Sequence, residues 1–212
     1  MDRRERYPNI YSWIQAQIDA ALNQTFVSMP GIVQSFDATD CTAAVQIAIL
    51  YQNRDKNNNW QNITPSPIIP KALVQFPGNK NFLYTFPIVK GDEGLLVFCD
   101  RCIDSFYQQG GVQPQMDIRQ HDITDAIFIP GIKSIPNVPS NINTTSAELR
   151  TFSGNTRITL DDTNGIVLTG NVSVTGVFTA TQGVAAGFGG SDLVTVQNHI
   201  HAANGDPPTP GT

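Results

Sequence analysis

The stretch Gly91–Gly111, GDEGLLVFCDRCIDSFYQQGG, decides the fold. GLLVF is a short, strongly β-prone run that follows a Lys90-Gly91-Asp92-Glu93 turn. CIDSFYQQ then reads as one short helix, stopped at Gly110-Gly111 in the manner of a helix C-cap. Working outward, HDITDAIFIPG (121–131) predicts one more strand, and NFLYTFPIV (81–89) another. Further upstream, GIVQSF (31–36) precedes DATDCTAAVQIAILY (37–51), where Val45, Ile47 and Ile49 alternate with small or polar residues at period two. ITPSPIIPKALVQFP (63–77) holds Pro65, Pro67, Pro70 and Pro77, so it is expected at a sheet edge or in an extended connection rather than as a central strand. Short strands with one small helix over ~100 residues predict a closed Greek-key barrel of the OB type, with a sandwich as the alternative.

Both flanks differ from this middle. Ile10, Trp13, Ile14, Ile18, Ala21 and Leu22 recur at three- and four-residue spacing and draw one apolar stripe along a helix. That stripe either packs on its own domain or docks a neighbouring subunit. Downstream, IKSIPNVPSNINTT (132–145) is a Pro/Asn/Ser linker, after which period-two alternation returns in very short units: Ile158/Leu160, Ile166/Leu168, then Val172, Val174, Gly176, Phe178 and Ala180. Asn164-Gly165 signals a tight turn. From Thr163 to Ser191 the chain carries no charge. Strands this short, with so thin an apolar set, bury little in one chain, whereas three copies around a common axis bury a continuous core.

The 212 residues include 13 Lys and Arg against 18 Asp and Glu, a net charge of −5. Without a basic cluster, this opposes nucleic-acid binding, and an OB-type barrel alone does not restore it. No apolar run reaches the ~18 residues of a membrane span. MDRRERYPN lacks an apolar stretch behind its charges, so no secretory signal is expected, and three cysteines do not make a disulfide framework. A soluble protein made in a reducing cytoplasm is the resulting expectation.

Few residues carry chemistry. His199-Ile200-His201 places two imidazoles on one face of an extended strand. One chain offers two ligands; three chains offer six, a set that suits an octahedral first-row transition ion rather than tetrahedral zinc. Cys99-Asp100-Arg101-Cys102 has CxxC spacing, but it lacks a second CxxC and a βαβ setting, so both cysteines read as core or near-core thiols. Arg101 is expected to pair with Asp100 or Asp104 at the helix start. Asp125, Glu148 and Asp161-Asp162 are the carboxylates available to a glycosidase, yet the segment after Phe128 has no Tyr or Trp to line a sugar groove, and Asp161-Asp162 before Thr-Asn-Gly reads as a turn. An enzyme is not expected.

With these residues in view, the chain resembles the central membrane-piercing spike of contractile-tailed, Mu-like phages. RRERYPNIYSWIQAQI (3–18), Gly91–Gly111 and RQHDITDAIFIPGI (119–132) are similar to the N-terminal OB-type domain of such spikes, and the charge-poor β segment ending in His199-Ile200-His201 is similar to their needle tip. The resemblance implies a mainly β protein: an N-terminal helix (1–24), an OB-type barrel (25–131), a linker (132–145), an intertwined trimeric β-helical shaft (146–192) and an apex (193–212). It also implies a homotrimer seated on a baseplate hub in the virion tail, transient piercing of the host outer membrane, and one iron ion held by His199 and His201 of three copies. It implies no nucleic-acid or small-molecule partner. A tail-fibre adhesin or depolymerase and a type VI secretion-like spike are the alternative functions.

Overall fold

The computed structural model describes residues 9–50, 52, 55, 57, 59–61, 65–181, 185–186 and 194–195. The chain divides into two compact units, Met1–Val138 and Pro139–Thr212.

The first unit opens with α1 (Ile10–Asn23), whose Asn9 side chain caps the Tyr11 amide. None of its residues is buried, so the apolar stripe of Ile10, Trp13, Ile14, Ile18 and Leu22 has no cover among the described residues. Five strands follow: β1 (Ser28–Asp37), β2 (Thr42–Ile47), β3 (Ile68–Val74), β4 (Glu93–Phe98) and β5 (Ala126–Pro130). They close into a barrel in the order β1-β2-β3-β5-β4, with β3 and β5 parallel and the other neighbours antiparallel. α2 (Asp104–Gln109) lies between β4 and β5 and ends at Gly110, whose φ of 67° is where a glycine is favoured. This is the expected mainly β barrel. Period-two alternation points Ala43, Val45 and Ile47, then Leu96 and Phe98, then Ala126 and Phe128 into one shared core with Val33, Ile69, Ala72 and Val74.

Two expectations change. The proline-rich segment supplies a barrel strand rather than an edge or connection. β3 tolerates Pro70 because the pairing shifts there: Ala43 faces Ala72 and Val45 faces Ile69, so one residue of β2 opposes Pro70 and Lys71. Pairing with β5 involves only Leu73 and Val74, which leaves the Pro70 end without a ladder on that side. NFLYTFPIV, in contrast, is not a strand. Each barrel strand already has two neighbours, and the one unladdered stretch, the Pro70 end of β3, contains a proline that cannot donate to a further strand. Asn79 turns the chain instead, its Oδ1 accepting from the Asn81 and Phe82 amides at 2.9 and 3.0 Å, and Gly78 bridges Leu83. Phe86 and Ile88 still reach the core, while Phe82 and Leu83 stay exposed.

Gly94 of β4 makes room for the core. A Cβ there would lie 2.5 Å from both the Ile129 carbonyl oxygen and the Phe128 ring. Gly94→Ala should therefore destabilise the barrel by about 1–3 kcal/mol through overpacking. Thermal melting followed by circular dichroism checks this.

The second unit contains an antiparallel meander of β6 (Ala147–Arg150), β7 (Arg157–Asp161) and β8 (Gly165–Thr169), and a two-residue pairing of β9 (Ala185–Ala186) with β10 (Val194–Thr195). Gly165, at φ 70°, closes the β7–β8 turn, and Asp161 Oδ1 accepts from the Thr163 and Asn164 amides. The third alternating unit, 172–180, forms no strand, because a strand needs a ladder and none is offered to it by the described residues. Among the described residues of one chain no intertwined shaft is present.

Candidate functional site

The β6–β8 sheet is inside out for a free-standing domain. Register places Leu149, Ile158 and Leu168 in one row across the three strands, and Ala147, Leu160 and Ile166 in the next row on the same face. All six are exposed, with Ile158 at 41%, Leu160 at 54% and Ile166 at 71%. The opposite face carries Glu148, Arg150, Arg157, Thr159 and Asp161 with Val167 of β8, and its centre is the covered part: Thr159 is buried and the Glu148 side chain is only 10% exposed, while Val167 stays exposed.

Ionic and amide contacts explain the covering. Arg150 and Arg157 sit directly opposite each other, and Glu148 lies 3.6 and 3.4 Å from their guanidinium groups. Arg150 also donates to the carbonyls of Asn141 and Ser140, Asn143 donates to Glu148, and Ser146 donates to Asp161 Oδ2 at 2.6 Å. Segment 140–146 is thereby tied to the charged face. The hydrogen bonds from Ser146 and from the turn amides hold the Asp161 carboxyl below the usual range. Apart from the six-residue face itself, an open groove of about 510 Å³ is lined by Leu149, Ile158, Leu168 and Val172 together with Arg150 and Arg157. The face itself, uncharged and made of branched aliphatics, binds another apolar surface by burial and offers no acid, base or nucleophile.

His199 and His201 lie outside the described residues, as does most of the segment 193–212. The cysteine motif is described. Cys102 is buried with its Sγ 3.5 Å from Asp104 Oδ2, and Cys99 is half-buried, its thiol pushed up by burial and by the Asp125 charge. A thiol so disfavoured as thiolate is a poor nucleophile. Arg101 pairs with Asp100 at 3.0 Å. Asp104 pairs instead with Arg119, a residue to which sequence spacing gave no role. Arg119 Nη2 lies 2.7 Å from Asp104, its Nε 2.6 Å from Asp125, and Asp125 Oδ1 accepts the Ile103 amide at 3.0 Å. Cys102, Asp104 and Asp125 are close enough to share a metal ion, but the Arg119 guanidinium already supplies the cation between the two carboxylates. Of the four candidate glycosidase carboxylates, Asp125 therefore holds the barrel's α2 connection, while Glu148 and Asp161 hold the meander's polar face.

Residues 29–131 match the family model described as the phage protein Gp138 N-terminal domain, which spans the whole barrel. The match supports a phage structural protein and a component of the virion. A search of curated proteins returns no match to this chain.

Proposed function

We propose that the chain is the subunit of a homotrimeric spike at the centre of a tail baseplate, which pierces the host outer membrane when the sheath contracts. The carrying observation is the uncovered aliphatic face of β6–β8, backed by a charge-free stretch from Thr163 to Ser191. Three copies that turn this face toward a common axis bury it and pair strand edges that one chain leaves open. The protein then works mechanically and not as an enzyme. The charge-free stretch 163–191 enters a bilayer at lower cost, since each charged group at the bilayer centre costs kilocalories. The barrel unit attaches to the hub, and α1, uncovered among the described residues, belongs to that attachment or to the trimer. Sedimentation or light scattering should give a trimer; a stable monomer of 23.1 kDa overturns the reading.

The apex is proposed on donor chemistry. One chain contributes His199 and His201, too few for a stable site, and three chains contribute six imidazoles to one octahedral ion, iron by family resemblance. The ion, when bound, cross-links the three strands. Ligation needs neutral imidazoles, so acid should release the metal as they protonate. Elemental analysis should find one iron per trimer in the natural protein and none in the His199→Ala/His201→Ala variant, with barrel melting unchanged. No transition metal above background in protein never exposed to chelator refutes the site.

A further inference from the structure

Half of the Pro/Asn/Ser linker belongs to the barrel unit, which ends at Val138. β5 ends at Pro130, opposite Gly94, so Gly131 falls just beyond the ladder, where its amide donates to the Glu93 carbonyl oxygen at 3.1 Å. The φ of Gly131, 116°, is one that glycine adopts without strain, and it returns the chain to the start of β4. Ile135–Asn137 then forms one 3₁₀ turn, preceded by Ser134 and containing Pro136.

Neither a ladder nor burial keeps this segment there. Residues 132–138 join no strand, and Ile132, Ile135 and Val138 are all exposed. One side chain does hold it. Glu93 Oε2 accepts the Ser134 amide at 2.7 Å, and Oε1 accepts the Ser134 hydroxyl at 2.6 Å and Asn137 Nδ2 at 2.7 Å. Asn137 also closes the turn, its amide donating to the Ser134 carbonyl oxygen at 2.9 Å. An ionised carboxylate is acceptor only, so both of its oxygens suit a turn that presents donors.

Protonation changes that fit, because it turns one of the acceptors into a donor facing other donors. Of the charged groups nearby, Lys133 in the held segment favours the carboxylate. Asp92, next to Glu93 in the chain, gives an oxygen to the Val89 amide at 2.8 Å, and Ile32, the β1 residue paired with Glu93, brings no charge. We propose that Glu93 is an acid-released clasp, which fixes the exit of the chain from the barrel unit when ionised and frees residues 132–138 when protonated. The Ser134 hydrogen bonds first, then Asn137 and Lys133, hold its carboxyl below the usual glutamate range. A folded value below the unfolded one means that the clasp is closed at neutral pH and opens as pH falls through the folded value. The clasp lies within one barrel unit and does not depend on the trimer reading.

The test follows hydrogen exchange of residues 132–138 in the full-length protein by mass spectrometry, with rates corrected for the intrinsic effect of pH and with the β4 and β5 peptides as internal controls. At neutral pH, Glu93→Gln should exchange there roughly threefold or more faster than the parent, since the amide keeps one acceptor oxygen and sets a donor against donors. Ser134→Ala, outside every strand, should move the same way by less. Trypsin should cut after Lys133 sooner in both variants. In the parent, protection of 132–138 should fall as the pH drops below the usual glutamate value of about 4.3, before the β4 and β5 peptides open, and Glu93→Gln should show no such step. Exchange alike in the parent and both variants at neutral pH overturns the proposal, and so does a parent segment that opens only together with β4 and β5.

Discussion

Ile158→Asp should turn the proposed trimer into monomers of 23.1 kDa while the barrel keeps its melting transition. Ile158 is central on the middle strand of the meander, flanked by Leu149 on β6 and Leu168 on β8. In the proposed trimer three aspartates would enter one apolar core, each without a partner and all of the same sign. The effective penalty for a buried, unpaired charge is several kcal/mol per ion, and it is incurred three times over. A lone chain incurs none of it, since its Ile158 is already exposed. The substitution therefore acts on assembly and not on the monomer. Ile158→Leu, of similar volume, should remain trimeric. Analytical ultracentrifugation of both variants decides; an Ile158→Asp protein of unchanged mass would show that this face is not the one buried.

The two units solve the burial problem differently. The barrel closes on itself, places Val33, Val45, Leu96 and Phe128 out of water, and leaves β3 unpaired toward β5 only at its Pro70 end. The meander spends its intrachain contacts on charges. Glu148 reconciles two facing arginines, and segment 140–146 seals that side, so the aliphatic face is what remains outside. A single chain with the opposite choice would be a small self-contained sheet with no reason to associate. With the polar face covered first, Leu149, Ile158, Leu160, Ile166 and Leu168 stay in water among the described residues, and the proposed association is what would bury them.

Alternation made much of this legible. Ile158/Leu160 and Ile166/Leu168 were visible as one-sided strands, Asn164-Gly165 as their turn, and GLLVF, the short helix and Gly110 as consecutive elements. Two local readings failed for non-local reasons. NFLYTFPIV has strand propensity, but each barrel strand already has two neighbours, and β3 contains Pro70 because a bulge in its pairing with β2 accommodates it. The Arg119 network was invisible because ion pairing depends on which loops the barrel brings together. Arg119 lies 15 residues from Asp104 and 6 from Asp125, with no periodic pattern. Arg101 is nearer to Asp104 in sequence, but it pairs with Asp100.

Asp125→Ala should cost the barrel about 3–5 kcal/mol, the usual result of removing one partner from a buried ion pair. Asp125 is fully buried and accepts from Arg119 Nε and Nη2 at 2.6 and 2.9 Å and from the Ile103 amide at 3.0 Å. Without it, a guanidinium loses its best-aligned partner, the start of α2 loses an amide acceptor, and a cavity opens beside Cys102. For a unit of this size the melting temperature should fall by roughly 10–20 °C. Asp125→Asn retains an acceptor of the same shape and should lose less. Arg119→Met combined with Asp125→Ala should lose less than the sum of the two single changes, because the second change removes the charge that the first leaves stranded. Acid acts on the same network. The Arg119 hydrogen bond holds the Asp104 carboxyl below its ordinary range, and Thr124 does the same for Asp122. A carboxyl whose folded value lies below its unfolded value adds stability at neutral pH and loses it as pH falls through the folded value. The Asp104 side chain is about half exposed, so solvent screening keeps its share small. Melting should therefore weaken gradually from about pH 4 downward in the parent, the usual carboxylate range. Asp125→Ala should start lower at neutral pH. A variant that melts with the parent at every pH would show that the buried pair adds nothing to the barrel.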